Sequence, residues 1–405
     1  MSTIYTPNQI SLKEYVRLRV LLLKSVKAEY LFRDGYADAF LPFPCLQTRG
    51  EIQDFCKIQK VLESAIKQIV LNYSSDLEIQ KVYSLSVDIK RELCELKDAS
   101  YSIGLIRPDF LVSDKGRPLV CEINARFVFN AFYMTHEVDR VLAKVYKDFI
   151  SPSNIRDFPK NLSSSFNIKE VAIIKGREAG YDVHTFMLEN VGVKLFDVQD
   201  LKTVIKKYKT IILELHQDEL EPYLGLVCGA LKKGVRFIND PRTIYLVHDK
   251  RILALLTDEK IMAKYMSGSD CKLLQKYITP TLSKCNGEKV FKEAISNKDK
   301  WVIKKAISGK SDGLYTGKFK TDNEWAKIIR EKDIIIQPYV KQKKFKYWNP
   351  YTQKMTNAFL VGTLPQMNSK AYGVGLYRLF DIEKEKFSFF VQPVLKLKNH
   401  HGKRK

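Results

Sequence analysis

The stretch from Ile103 to Phe127, IGLIRPDFLVSDKGRPLVCEINARF, constrains the fold more than any other part of this sequence. Two β-rich runs flank Asp114-Lys115-Gly116, a turn signal with the backbone freedom that a tight reversal needs. The pattern predicts an antiparallel hairpin. Its outgoing run carries Arg107-Pro108-Asp109, and its returning run carries Glu122-Ile123-Asn124. Residues two apart on a strand point the same way, and neighbours on one face of an antiparallel pair approach closely. Two carboxylates, Asp109 and Glu122, and the amide oxygen of Asn124 can therefore converge. Oxygen-only donors of this kind suit Mg2+, which takes a few carboxylates and completes its shell with phosphate oxygens. Polar residues on the open face of a hairpin satisfy the same pattern with no metal at all.

Upstream the texture is helical. Residues 10–33 repeat Leu, Val and Tyr at intervals of three and four, and 52–100 hold two amphipathic stretches, IQDFCKIQKVLESAIKQIVLNY and LEIQKVYSLSVDIKRELCEL. Another helix is expected at 136–149. Residues 151–167, SPSNIRDFPKNLSSSFN, read as a linker. Beyond them strand and helix signals alternate through TIILEL (210–215) and VRFIND (235–240), which predicts a small α/β unit with a parallel sheet. Residues 243–266 read as helical and LLQKYITP as a strand. Strand, glycine loop and strand follow in WVIKKAISGKSDGLYTGKF, then a helix near 322–331 and strands to about 395.

Composition narrows the classes. At ~100–200 residues per domain, 405 residues make two to four domains. A chain with 45% hydrophobic and 28% charged residues is not wholly disordered. No window approaches the ~18 apolar residues of a membrane span, and MSTIYTPNQISLKEY has no basic start and no apolar core of a secretory signal. The expectation is a soluble cytoplasmic protein with no membrane partner. Seven cysteines, an odd number with no CxxC pair, argue against a disulfide framework or a zinc ribbon and for buried thiols. The net charge is +22, and it is lopsided: residues 271–405 hold 29 Lys and Arg against 11 Asp and Glu. An anionic partner, nucleic acid or a polyphosphate nucleotide, would account for that, and so would a solvated lysine-rich surface.

Four later features bear on phosphate chemistry. Lys304-Lys305-Ala306-Ile307-Ser308-Gly309-Lys310-Ser311-Asp312-Gly313 follows a strand, and such a loop can fold backbone N–H groups over phosphates with Lys304 as a point charge. It is not a Walker A loop. IIIQPYV, which contains Gln337 and Tyr339, is an apolar strand broken by proline that can present backbone groups to an adenine edge. Lys250 follows NDPRTIYLVHD and can add a second cation. Arg378 lies in an apolar strand and needs an anionic partner, phosphate or carboxylate. Read singly, each of these is also an ordinary turn, strand end, solvated lysine or structural ion pair.

In this order the features resemble a known family. KKAISGKSDG is similar to the nucleotide loop KPxxSGxSxG of ATP-grasp enzymes, with Lys305 where proline is usual. NDPRTIYLVHDK resembles the helix entry with the other ATP lysine, and IIIQPYV resembles the adenine hinge. The Arg-x-Asp and Glu-x-Asn pair precedes these elements, as in the circularly permuted ATP-grasp group that includes the synthetase domain of glutathionylspermidine synthase and related peptide and amide ligases. The likeness covers about 101–130 and 235–380. It implies a mixed α+β and α/β chain: a helical N-terminal region with the metal hairpin (1–150), a small α/β domain (151–242), the nucleotide lobes (243–398) and a flexible basic tail (399–405).

The resemblance also implies roles. Asp109, Glu122 and Asn124 would hold Mg2+. Arg107 and Arg378 would act on the transferred phosphoryl group. Lys250, Lys304, Ser308, Gly309, Lys310, Gln337 and Tyr339 would bind ATP. The expected reaction joins a small-molecule or peptide carboxylate to an amine through an acylphosphate, with release of ADP and phosphate. Arg126, just past Asn124, would hold an anionic substrate group or a structural salt bridge. Alternatives are an ATP-grasp kinase acting on a hydroxyl, and a basic nucleic-acid-binding protein using KQKKFKYW (341–348). An acidic carrier protein or tRNA is a compatible partner. The sequence leaves the substrates and the oligomeric state open.

Overall fold

The computed structural model describes residues 3–5, 11–25, 40–165, 170–177, 192–309, 313–381 and 386–396. The N-terminal region is helical, after a short strand Thr3–Ile4 (β1) and around a second, Cys45–Gln47 (β2). Leu12–Ser25 is a helix, and residues 26–33 of that expectation fall outside the described residues. Arg49–Asn72 starts from a capping box in which the Thr48 hydroxyl accepts from the Glu51 N–H and the Glu51 carboxylate accepts from that of Thr48. Its Phe55, Ile58, Leu62, Ala65, Ile66 and Ile69 are buried at helical spacing in the largest core. The second amphipathic stretch is two helices, Leu77–Val82 and Val87–Cys94. Ser86 makes the break: its hydroxyl accepts from the Ile89 N–H and caps a new helix.

The predicted hairpin is present as Leu105–Val112 (β3) and Pro118–Asn124 (β4), with Gly116 at φ +77° in its turn. The following helix runs over Phe129–Val145, earlier than the expected 136–149. It buries Phe132, Val138, Val141 and Leu142 in a second core. After Phe149–Ile150 (β5) comes the stretch read as a linker. Much of it is folded: a 3-10 turn Ile155–Asp157 and a helix Phe158–Ser165. Ile155, Phe158 and Leu162 fall on one face and are buried, and Phe158 touches Phe132, Tyr133 and Tyr372. Three apolar residues at helical spacing outweigh a serine-rich composition.

Val171–Lys175 (β6), Lys194–Asp197 (β7), Thr210–Glu214 (β8) and Arg236–Ile238 (β9) form the small parallel sheet, in the order β7-β6-β8-β9. The segment 243–266 is broken into a π-helical turn Thr243–Val247 and helices Ile252–Leu256 and Glu259–Met262. LLQKY, read as a strand, belongs to the helix Gly268–Tyr277. Ser267 caps that helix, and Cys271, Leu274 and Tyr277 line its buried side. The burial period of three, Cys271, Leu274 and Tyr277, makes it a helix.

Leu282–Ser283 (β10), Trp301–Lys305 (β11), Leu314–Thr316 (β12) and Ile334–Pro338 (β13) form an antiparallel lobe in the order β10-β13-β11-β12. Helices Glu288–Ser296 and Asp322–Ile328 cover it over a third core with Phe291, Ile303, Trp325 and Ile336. The last strands are Phe345–Asn349 (β14), Lys354–Thr363 (β15), Gln366–Met367 (β16), Lys370–Ala371 (β17), Tyr377–Asp381 (β18), Lys386–Val391 (β19) and Pro393–Lys396 (β20). The early hairpin is built into their sheet, which runs β17-β16-β3-β15-β18-β19 with β4 beside β3 and β14 beside β15. β20 lies parallel to β2, so the far end of the chain closes on the N-terminal region. Among the described residues no helix is long and apolar enough to cross a membrane, and the seven cysteines are free.

Candidate active site

Register places the hairpin residues in facing pairs. Arg107 lies opposite Asn124 and Asp109 opposite Glu122. The ladder then slips, so that Phe110 faces Val120 and Cys121 is an extra residue. This is a β-bulge, a device that re-aims backbone and side chains beside functional sites. The Cys121 carbonyl points toward the lobe of β10 to β13, where Lys304 and Gln337 meet it.

Asp109 is 2% exposed and is held by two cations. Its Oδ1 accepts from Arg107 Nε at 3.1 Å, and its Oδ2 accepts from Arg378 Nη2. Asp109 pairs with Thr363 of β15, and Arg378 pairs with Val361 of the same strand from the other side. Adjacent strands are ~4.8 Å apart, so the guanidinium spans β15 to reach the carboxylate. Burial works against the charge on Arg378, but Asp109 and Glu122 outweigh it and keep the group protonated.

Three residues of the later lobes come to the same place. Lys304 Nζ donates to the Cys121 carbonyl at 3.0 Å. Gln337 Nε2 donates to Thr281 Oγ1 at 2.8 Å and reaches the Cys121 carbonyl at 3.5 Å. Lys250, buried at 4% exposure, donates from Nζ to the Ser308 carbonyl at 2.7 Å and lies 3.4 Å from Glu122 Oε1. Its backbone N–H donates to the Ala306 carbonyl at 3.0 Å. Lys250 therefore ties the glycine loop to the hairpin. Its own position is set by Asp249 and Arg251, a buried ion pair with Nη2–Oδ2 at 2.6 Å, whose guanidinium also reaches Asp333 at 3.1 Å.

The structure thus links Arg107, Asp109, Glu122, Asn124, Lys250, Lys304, Ser308, Gln337 and Arg378 through one connected set of contacts around the end of the hairpin. Gly309 follows Ser308 on the exposed side of the loop, and Lys310 lies outside the described residues. Tyr339 is engaged elsewhere: its N–H donates to the Lys300 carbonyl at 2.7 Å, and its hydroxyl accepts from Lys318 at 2.7 Å. Sequence reasoning missed the Cys121 carbonyl, the Thr281 hydroxyl and His248. A carbonyl leaves no mark in a sequence. His248 is two residues from Lys250 and was legible only as part of a helix entry. Its Nδ1 accepts from the Ala125 N–H at 3.3 Å, and its Nε2 is buried with no hydrogen-bond partner. Burial, then Arg126, Lys250, His216 and Arg107, push its pKa well below the usual histidine value, so the ring is neutral.

Among the described residues no group of three or more His, Cys, Asp or Glu could hold a metal ion. The candidate donor set here is two carboxylates and an amide. Asn124 Nδ2 makes a long 3.5 Å contact with the Arg107 carbonyl, and that contact does not use Oδ1. An ionised carboxylate has about four acceptor positions, so Asp109 and Glu122 keep capacity beyond their ion pairs. This donor chemistry fits Mg2+.

A family model described as AnkG_N, the AnkG N-terminal domain, matches residues 58–246. No curated protein matches the chain. Among solved structures, the chain is similar to a glutathione synthetase like-effector (GSS30) from Globodera pallida in apo form, with TM-score 0.61, 12% identity, and coverage of 96% of this chain and 99% of that one. It also matches N5-carboxyaminoimidazole synthetase from Staphylococcus aureus complexed with ADP (TM-score 0.28, 12% identity, 57% and 71% covered). A third match is the ATP-grasp ligase PsnB complexed with minimal precursor (TM-score 0.27, 9% identity, 58% and 92% covered). At those scores the last two establish nothing about this chain. The fold is mixed α+β with a helical N-terminal region. Over nearly its full length it is the fold of the glutathione synthetase like-effector.

Proposed function

We propose that this protein is an ATP-dependent, ADP-forming carboxylate–amine ligase. The observation that carries the reading is the meeting of Glu122 with Lys250, and of the neighbouring Cys121 carbonyl with Lys304. Carboxylates beside a polyphosphate are repulsive unless a cation joins them, and here hairpin carboxylates face two lysines from phosphate-type elements. Asp109, Glu122 and Asn124 would hold Mg2+, whose part is to neutralise phosphate charge. Lys250 and Lys304 would bind phosphate oxygens. Arg107 and Arg378, both oriented by Asp109, would balance the equatorial oxygens of the transferring group. Phosphoryl transfer asks a protein mainly for positioning and charge neutralisation. The carboxylate substrate attacks the γ-phosphorus and ADP leaves. The amine then attacks the acyl carbon of the acylphosphate and expels phosphate. Ser308 and Gly309, on the loop after β11, would help exclude water from that intermediate.

The test is ADP release from Mg-ATP across a panel of amino acids and small peptides, with hydroxylamine as trapping amine. Hydroxamate formation supports ligation. ADP release with a hydroxyl substrate and no hydroxamate would make the protein a kinase. Glu122→Gln is expected to abolish turnover, and near-normal ADP release by that variant with both substrates present would refute the metal assignment.

A further inference from the structure

The hairpin has an end that its own ladder does not close. β3 begins at Leu105, but its register with β4 runs only from Val112 opposite Pro118 to Arg107 opposite Asn124. Leu105 and Ala125 flank this end and are buried, so their backbone groups need partners within the protein. Asn239, the residue after β9 of the parallel sheet, supplies them. Its Oδ1 accepts the Leu105 N–H at 2.5 Å, and its Nδ2 donates to the Leu105 carbonyl at 2.7 Å and to the Ala125 carbonyl. Facing residues of an antiparallel pair can exchange both backbone bonds. The carboxamide thus stands where a strand residue would, and it ties the start of β3 to the end of β4. One N–H on Oδ1 and two carbonyls on Nδ2 fix the orientation of the amide. The approach is close enough to require a glycine: Gly104 has φ +80°, and a Cβ there would collide with Asn239 Oδ1.

The clamp is itself held. Asp240 and Arg242 form a buried ion pair, Nη2–Oδ2 2.8 Å, and the guanidinium donates to the carbonyls of Leu96, Ala99 and Ser100, just ahead of β3. His248 Nδ1 accepts the Ala125 N–H at 3.3 Å, so both backbone groups of Ala125 are taken by side chains of one segment. That segment leads into Lys250, which meets Glu122 and the Ser308 carbonyl. Resting on the ligase reading, we infer that Asn239 is a positioning residue of the metal site. It fixes the strand end from which Arg107 and Asn124 project, two residues after Leu105 and one before Ala125. Without the clamp the two strands separate at this end, and Asn124 is no longer held beside Glu122 as a donor to the same ion. Lys250 and Lys304 keep their own supports, the Asp249–Arg251 pair and β11. The loss therefore falls on the metal and spares the nucleotide.

The experiment reads binding to the full chain, without turnover. Mn2+ is titrated into the parent and into Asn239→Ala, each saturated with ADP, and bound metal is followed by electron paramagnetic resonance. ADP is titrated separately in EDTA by calorimetry. Asn239→Ala is expected to weaken Mn2+ binding by about tenfold or more, as the loss of a group that orients metal ligands does, with metal-free ADP affinity nearly unchanged. Parent-like Mn2+ affinity in a folded Asn239→Ala overturns the inference. So does an equal loss of both affinities, which is the mark of a general loosening of the fold. If Asn239→Ala does not fold, Asn239→Ser, which keeps a hydroxyl for one of the three bonds, takes its place with the same criteria. The expected split in a protein that releases no ADP with any acid would sink the ligase reading alone. ADP release together with Mn2+ affinity that the variant leaves intact would sink the role of Asn239 alone.

Discussion

Lys304 Nζ rests 3.0 Å from the carbonyl oxygen of Cys121. The contact exists because the bulge turns that carbonyl out of the hairpin ladder and toward the lobe of β10 to β13. The ammonium is therefore held by a neutral acceptor, the carbonyl of the residue before Glu122.

Lys304→Met is expected to weaken ATP binding by about tenfold or more, since hydrogen bonds to charged groups are worth ~1.5–3 kcal/mol. The fold should be little affected, because Gln337 still reaches the same carbonyl. Titration of a fluorescent ATP analogue measures the first effect and urea unfolding the second. Undiminished nucleotide affinity would remove Lys304 from the site.

Asn124→Ala separates function from stability in another way. The side chain's long 3.5 Å contact with the Arg107 carbonyl contributes little to the fold. The variant should lose less than about 1 kcal/mol of unfolding free energy and at least about tenfold in turnover if the amide oxygen binds the metal. A Mg2+ titration of the residual activity should show a raised requirement.

The Asp249–Arg251 pair is structural. Asp249 is fully buried and Arg251 is 3% exposed. Asp249→Ala leaves a guanidinium with the partly exposed Asp333 as its remaining carboxylate, and breaking a buried pair from one side costs ~3–5 kcal/mol. Replacing both residues by apolar ones of similar size should recover much of that loss. Chemical denaturation of the single and paired variants decides it, and a single variant as stable as the parent would contradict the account.

Asp76 sets an acid limit. Burial pushes its carboxyl up, but hydrogen bonds from Lys264, Tyr265 and the Glu78 N–H prevail and hold it at about 2, below the usual 3.8. A carboxylate with a lowered folded pKa adds stability that is complete above the unfolded value and is lost as pH falls through the folded one. The contribution should therefore fade between about pH 4 and pH 2. Asp76→Asn should flatten the stability profile over that window and leave its slope near neutral pH unchanged, as read by thermal melts. An equally steep acid slope in the variant would assign it to other carboxylates.

Much of this molecule is legible one segment at a time. The hairpin around Asp114-Lys115-Gly116, the parallel α/β unit and the glycine loop after WVIKK all follow from strand or helix periodicity and from turn chemistry, which are local properties. The same locality explains the failures. Ser86 splits a helix through one hydroxyl, LLQKY is helical because its burial period is three, and Phe158 orders a serine-rich stretch by packing on Phe132 and Tyr372.

By itself, then, the order of residues determined which chemical groups this protein has and which elements carry them: Asp109, Glu122 and Asn124 on a hairpin, Lys304 at a strand end, Arg378 in an apolar strand. Only the tertiary structure decided their meeting. The hairpin joins a sheet whose other strands come from the far end of the chain, a bulge of one residue aims Cys121 at Lys304, and Arg378 crosses β15 to Asp109. Such contacts depend on strand register and side-chain reach between residues distant in sequence, and no local pattern encodes either.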